Sequence, residues 1–300
     1  MANDRNDFAP EVRNSAWWSG DSRQAANGRA NEVILKKLGL MPIEDLSGVE
    51  AVQMGHTMQP VIGRLASAKL GIELKDADYA LTHPREPWLR SHFDFISADG
   101  KTLVEAKNYN AAVRKKFDVE GLIIPAADMA QLVHESACHG IDRVVLAVLF
   151  GGQNFETFEF VITDAQRDKL VQDMAKLWAK VQTKEPLEPE TVEQAKLLYA
   201  EDKHTSVTAS LQIENAVMAL QQVKAQIKDL ETKEDALQTL VLNYMRESNE
   251  LVSADGNVLA TWRQSKGSKK FDSKMFQSAM PDLYEQFVTT TSGSRRFLIK

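Results

Sequence analysis

The stretch from His92 to Lys107 constrains this chain more than any other. Asp99-Gly100 between two apolar-rich runs is a two-residue turn signal. A turn there sets Ala98 against Lys101, Ile96 against Leu103, Asp94 against Glu105 and His92 against Lys107. Strand side chains alternate between faces, so His92, Asp94, Glu105 and Lys107 share one face while Phe93, Phe95, Val104 and Ala106 share the other. The apolar face suits a core. On the opposite face two carboxylates meet, a pairing that destabilises a sheet unless a proton or a cation intervenes. Carboxylate oxygens are hard ligands suited to Mg2+ or Mn2+, and such an ion activates water and holds a phosphate oxygen. Lys107 adds a positive charge for a phosphoryl group under attack. A solvated charged face on an edge hairpin has the same pattern, and the residues by themselves leave the two readings level. His92 reads more simply as a packing or hydrogen-bonding residue.

Asp94 followed by Glu105-Ala106-Lys107 resembles the D…(D/E)-x-K signature of the restriction-endonuclease-like nucleases. Three flanking segments sharpen the likeness. Met54-Gly55-His56-Thr57-Met58-Gln59-Pro60 resembles the upstream helix motif of the YqaJ-type viral recombinases, relatives of the phage lambda exonuclease. Asp128-Met129-Ala130-Gln131-Leu132-Val133-His134 resembles that family's helix with a glutamine near the metal site, and Ser19-Gly20-Asp21-Ser22 its N-terminal phosphate-contacting segment. The pieces occur in the family's order over residues 13–180. The resemblance implies an α/β fold with a restriction-endonuclease-like core, a central mixed β-sheet flanked by helices. It implies that Asp94, Glu105 and the backbone carbonyl of Ala106 hold Mg2+ or Mn2+, that Lys107 orients or activates the attacking water, and that Gln131 supports the site. Ser22 and, with looser spacing, Arg13 would contact DNA. Where the family usually has a glutamate this chain has Gln59, whose amide can accept a hydrogen bond but brings no negative charge.

A single cysteine, Cys138, excludes an intrachain disulfide, a Cys-type zinc site and a four-cysteine iron–sulfur cluster. No apolar run is long enough to span a membrane and the first residues lack a signal-peptide apolar region, so the cytoplasm of a bacterial host is the expected compartment for a phage- or prophage-encoded protein. The net charge of −6 is not that of a general nucleic-acid coat. Local basic clusters are nonetheless present: Arg13, Arg23, Arg29, Lys36 and Lys37 early in the chain, and Arg114, Lys115 and Lys116 after the Glu-Ala-Lys strand. Each suits a phosphate contact or a solvated surface. The histidines make no zinc motif, and neither a phosphate-binding glycine loop ending in Lys-Ser/Thr nor a Gly-x-Ser-x-Gly elbow occurs.

Along the chain, residues 1–12 read as a flexible tail and 13–182 as the nuclease core. Within the core, helices are expected from Ser22 to Leu38, from Val49 to Leu70 with an interruption at Pro60, from Pro125 to His139 and from Thr163 to Val181. Strands are expected over 78–84, 143–150 and 155–162. The two prolines of 183–190 mark a linker. Residues 191–248 are strongly helical, with Leu211, Ile213, Val217, Leu220, Val223, Ile227 and Leu230 forming a coiled-coil-like seam that packs on the core or on a self-partner. Residues 249–300 read as a small α+β region with a basic tail. Three functions fit: an exonuclease resecting double-stranded DNA 5′ to 3′, an endonuclease or structure-specific nuclease of the same fold, and a catalytically weak DNA-end-binding or assembly protein. The family likeness also implies a homo-oligomer and, as a partner, a single-strand annealing recombinase.

Overall fold

The computed structural model describes residues 10–77, 79–289 and 293–299, and contacts divide the chain after Tyr199 into two units. The expected tail lies outside the described residues as far as residue 9; Pro10–Asn14 form helix α1. Strand β1 (Trp17–Trp18) follows, then α2 (Ser19–Gln24), a wide turn over 25–29 and α3 (Ala30–Lys37). The helix expected from Ser22 therefore starts earlier and breaks at Gly28, whose φ is 79°. The start is fixed by Asp21, whose carboxylate accepts the Trp18 N–H at 2.8 Å. Helix α4 (Glu50–Leu70) runs through Pro60 without ending there and stops at the left-handed Gly71.

Strands β2 (Leu74–Asp76), β3 (Ala80–Thr82), β4 (Leu89–His92), β5 (Phe95–Ser97) and β6 (Thr102–Tyr109) lead to α5 (Ala126–His139), which ends at Gly140 in the left-handed region. Then come β7 (Arg143–Phe150), β8 (Asn154–Val161), α6 (Asp164–Thr183) and α7 (Val192–Leu198). The main sheet has the order β2-β5-β6-β7-β8, with β6 and β7 parallel and the other neighbours antiparallel. The parallel pair needs a crossover, and α5 supplies it. Strand β7 is apolar along Val144–Phe150 and buried throughout, as a strand covered on both faces must be. Val145, Ala147 and Leu149 pack with Ile62 and Ala66 of α4, whereas Val144, Leu146 and Val148 pack with Leu132, Met174 and Trp178 from α5 and α6. The result is a mixed α/β core, a mixed sheet between helices. A smaller sheet, β1-β4-β3, flanks it.

The signature hairpin departs from expectation in two ways. Its loop has four residues: Gly100 donates to the Ser97 carbonyl at 2.8 Å, placing Ala98 and Asp99 at the corners and Gly100 after them at φ 72°. Ser97 Oγ also accepts the Thr102 N–H, so the expected pairing of Ile96 with Leu103 is kept. More consequentially, the first strand is broken. His92 belongs to β4 and pairs with Ala80 in the smaller sheet, while β5 begins only at Phe95. His92 therefore does not stand opposite Lys107; its ring stacks on Trp18 with centroids 4.9 Å apart.

The 183–190 segment is not a boundary. Leu187 packs on the core, and buried Asn31 donates to the Glu188 carbonyl and to Gln194 Oε1 of α7, at 3.2 and 2.9 Å. The second unit holds α8 (Leu211–Met245), an antiparallel hairpin of β9 (Glu250–Val252) and β10 (Val258–Thr261), and short helices α9 (Ser273–Ala279) and α10 (Pro281–Phe287). Among the described residues no helix is long and apolar enough to cross a membrane.

Gly63 lets α4 approach the sheet: a Cβ there would lie 2.5 Å from the Phe95 ring. Phe95 is buried at the point where β5 begins, so it has little room to yield. Gly63→Ala is expected to lower stability by about 1–3 kcal/mol through overpacking, measured by urea unfolding; an unchanged midpoint would show that α4 is not seated this closely.

Candidate active site

The strand break creates the site. Antiparallel pairing of β5 with β6 ends at Phe95 and Val104, so the β6 edge from Ala106 onward has lost its strand neighbour on that side. The Asp94 carboxylate takes over: Oδ2 accepts the Ala106 N–H at 2.9 Å. Its other oxygen, Oδ1, accepts from Gln59 Nε2 of α4, also at 2.9 Å. On β6, Glu105 and Lys107 share the face turned toward α5, and the Lys107 ammonium donates to Glu105 Oε1 at 2.5 Å. Gln131 of α5 donates to the same oxygen at 2.7 Å. The sequence-predicted residues Gln59, Asp94, Glu105, Lys107 and Gln131, together with the Ala106 backbone, are thus brought together from α4, the β4–β5 break, β6 and α5.

Glu135 belongs to the same cluster and was not singled out in the sequence. It is 2% exposed, and its Oε1 accepts the second Gln131 amide hydrogen at 2.9 Å. The available signal was spacing: Glu135 stands four residues after Gln131 and so lies on the same helix face. Burial, and then the charge of Glu105, hold the carboxyls of both Asp94 and Glu135 well above the usual carboxylate range. Burial would lower the Lys107 pKa, but Glu105 and Asp94 outweigh it and hold the ammonium charged. Ionising all three carboxyls would set more negative charge here than one lysine balances; the protein avoids it by favouring the protonated forms of Asp94 and Glu135, protons that a divalent cation would displace. Among the described residues no three His, Cys, Asp or Glu side chains are grouped to hold a metal. The hard oxygen donors of the cluster are the carboxylates of Asp94 and Glu105, and Gln59 brings a neutral amide to Asp94.

A second polar group adjoins the first along β6. Tyr109, two residues beyond Lys107, donates to Asp128 Oδ1 at 2.7 Å, and Arg23 of α2 reaches both, at 2.9 Å each. Burial and the Asp128 charge push the Tyr109 hydroxyl up to about 12. Arg23 is thus tied to β6 at a residue two positions beyond Lys107. Most of the other candidate phosphate contacts are engaged within the fold: Arg29 and Lys36 with Glu32, Lys37 with Asp21 and two backbone carbonyls, Arg114 with Glu156. Arg13 lies over the Trp18 ring, 5.0 Å from its centroid.

Ser22 departs from its expected role. It is fully buried and accepts from Trp17 Nε1 at 3.1 Å while donating to His134 Nδ1 at 2.7 Å. The direction follows from the far side of the ring, where Nε2 faces the Arg90 carbonyl at 2.9 Å and must be the protonated nitrogen. The Ser22 hydroxyl is therefore committed to the packing of α2 on α5, with none of its surface open to a phosphate.

The chain is similar to several solved exonucleases. The alkaline exonuclease of Laribacter hongkongensis is 12% identical, over 58% of this chain and 91% of that one, with a TM-score of 0.46. A phage-related exonuclease from Haemophilus somnus 129PT is 12% identical over 54% and 81%, at 0.42. A protein described as a putative exonuclease from Eubacterium rectale is 11% identical over 72% and 98%, at 0.43. No protein-family model matches the chain, and no curated protein matches it.

The buried His134 carries a pH dependence. Burial pushes its ring down to about 3, so the fold holds it neutral while the unfolded chain takes up a proton near 6.5. The stability it contributes is complete above pH of about 6.5 and is lost as pH falls toward 3, by at most about 1.4 kcal/mol per unit. Asp94 and Glu135 act oppositely, since their raised pKa values favour the fold at lower pH. Unfolding free energy measured between pH 7 and 4.5 should fall more steeply in the wild type than in His134→Asn; parallel slopes would remove His134 from the acid response.

Proposed function

We propose that this chain is a metal-dependent deoxyribonuclease that degrades double-stranded DNA from its ends, 5′ to 3′, leaving 3′ single strands. The observation that carries the reading is the convergence of Asp94, Glu105, Lys107 and Gln131 at the open edge of β6. Asp94, Glu105 and the Ala106 carbonyl would hold Mg2+ or Mn2+. Such an ion, when bound, supplies a Lewis acid for the phosphoryl oxygen and lowers the pKa of a coordinated water. The residues of this chain do the rest. Lys107, held charged by its two carboxylate neighbours, orients the attacking water and stabilises negative charge on the phosphoryl group. Gln131 pins Glu105 Oε1 in place and Gln59 pins Asp94 Oδ1, so both carboxylates are positioned before substrate arrives. Arg23, partly exposed and bonded to Tyr109 and Asp128, and exposed Lys115 and Lys116 beyond the end of β6 are the cations that suit the DNA backbone. A homo-oligomer and a single-strand annealing recombinase as recipient of the product belong to the same reading.

Linear and closed circular duplex DNA incubated with the protein and Mg2+ or Mn2+ test it. Loss of linear DNA alone is expected, with release of a 5′-terminal label ahead of a 3′-terminal one, and Asp94→Ala and Lys107→Ala should each reduce the rate by 100-fold or more, about 3 kcal/mol of transition-state stabilisation. Cutting of closed circles would transfer the reading to an endonuclease. Inertness toward both substrates would leave only a DNA-end-binding role, which the neutral amide of Gln59 keeps open.

Two substitutions bear on the cation directly. Gln59→Glu adds a negative charge next to Asp94, and should tighten Mg2+ binding by about tenfold while lowering stability without metal. Glu135→Leu removes the acceptor that holds Gln131 and should weaken binding by about tenfold, in the range for groups that orient metal ligands. Calorimetric Mg2+ titration of the folded variants checks both; wild-type affinity in the two proteins would remove Gln59 and Glu135 from the cation site.

A further inference from the structure

Helix α8 runs unbroken from Leu211 to Met245, and its apolar seam is left exposed among the described residues. Read in heptads from Ile213, every a and d position through Tyr244 is apolar except Glu234 at a. The large apolar side chains on those positions are 36% to 79% exposed, an exposure appropriate to a surface that receives a partner. Toward its C-terminal end the seam becomes a groove of about 800 Å3, walled on one side by Leu230, Leu237 and Val241 and on the other by Trp262 after β10.

We propose that α8 pairs antiparallel with α8 of a second copy of this chain. Charge decides both partner and direction. In a parallel pair the two Glu234 side chains would face each other in the apolar seam, a like-charge contact removed from water. In an antiparallel pair each a residue meets a d residue, and the register that overlaps the whole helix sets Leu220 against Leu237 and Ile227 against Leu230 of the second copy. That register places Glu234 against Val223, next in sequence to Lys224 of the second copy, and brings Lys224 across from Glu231 at the flanking e positions. It also lays the start of the second helix along the groove, where small Ala216 meets Val241 close to Trp262. The arrangement is isologous and closes at two copies.

Sedimentation of the full chain at micromolar concentration should give twice the 33.5 kDa of one chain. Lys224→Glu should raise the dissociation constant by about tenfold, and adding Glu231→Lys should restore it. Direction is read by oxidative cross-linking, since the only native cysteine, Cys138, is buried. Leu220→Cys and Leu237→Cys proteins should cross-link when mixed and not separately. A monomeric chain, an association indifferent to Lys224→Glu, or cross-linking of either variant with itself would each overturn the proposal.

Discussion

The hydrogen bond from the Ala106 N–H to Asp94 Oδ2 is the contact on which the candidate site depends. A β6 strand fully paired with a continuous neighbour would have satisfied that N–H with a backbone carbonyl. The break after His92 removes the strand, and a buried donor without an acceptor costs about 1–3 kcal/mol. Asp94 supplies the acceptor from a side chain instead. The substitution keeps the β6 backbone regular through Tyr109 and delivers a carboxylate to the flank of Glu105. One bond therefore satisfies the sheet and assembles the acidic pair.

What breaks the strand is the aromatic face of the smaller sheet. Trp18 is buried, pairs through β1 with β4, stacks on His92 and lies beneath the guanidinium groups of Arg13 and Arg90. Those contacts hold β4 in a sheet of its own, so the chain must turn at Phe93 and Asp94 before it can join β6. The aromatic pair Trp17-Trp18 thus acts on the acidic cluster through backbone direction, without touching it.

Local signals in the sequence were sufficient for elements whose pattern has one period. The apolar run of β7, the Thr163–Gln166 cap of α6 and the glycine stops of α4 and α5 lie where residue chemistry puts them. The hairpin register was legible because apolar alternation and the turn agree. The break at His92 was not, since its cause lies in Trp18, far away in sequence. Ser22 misled for a similar reason: its segment resembles a phosphate-contacting one, but His134, 112 residues on, consumes the hydroxyl. The proline-rich 183–190 segment looks like a linker in composition, yet Asn31 ties it to the core. Glu135 was hidden by its helix, where a carboxylate four residues after a glutamine more often faces water.

The acidic cluster is unfavourable to the fold without a cation, and its location explains why the fold tolerates it. Asp94 and Glu135 both resist ionisation: burial and the charge of Glu105 favour their protonated forms, and ionising them would set three carboxylates around one lysine. Glu105 sits on β6 beside the fully buried β7, and Gln131 and Glu135 on α5, whose apolar side packs into the same core. These are the elements least free to relax by moving apart. Repulsion that would open a loop would here be held against the deepest packing in the unit, and on the proposed reading a divalent ion would relieve it. Gln59, rather than a glutamate, lessens that repulsion, because a neutral amide donates to Asp94 where another anion would oppose it. On the proposed reading the same amide would weaken the attraction for the ion, setting stability without metal against affinity for metal at a single residue of α4.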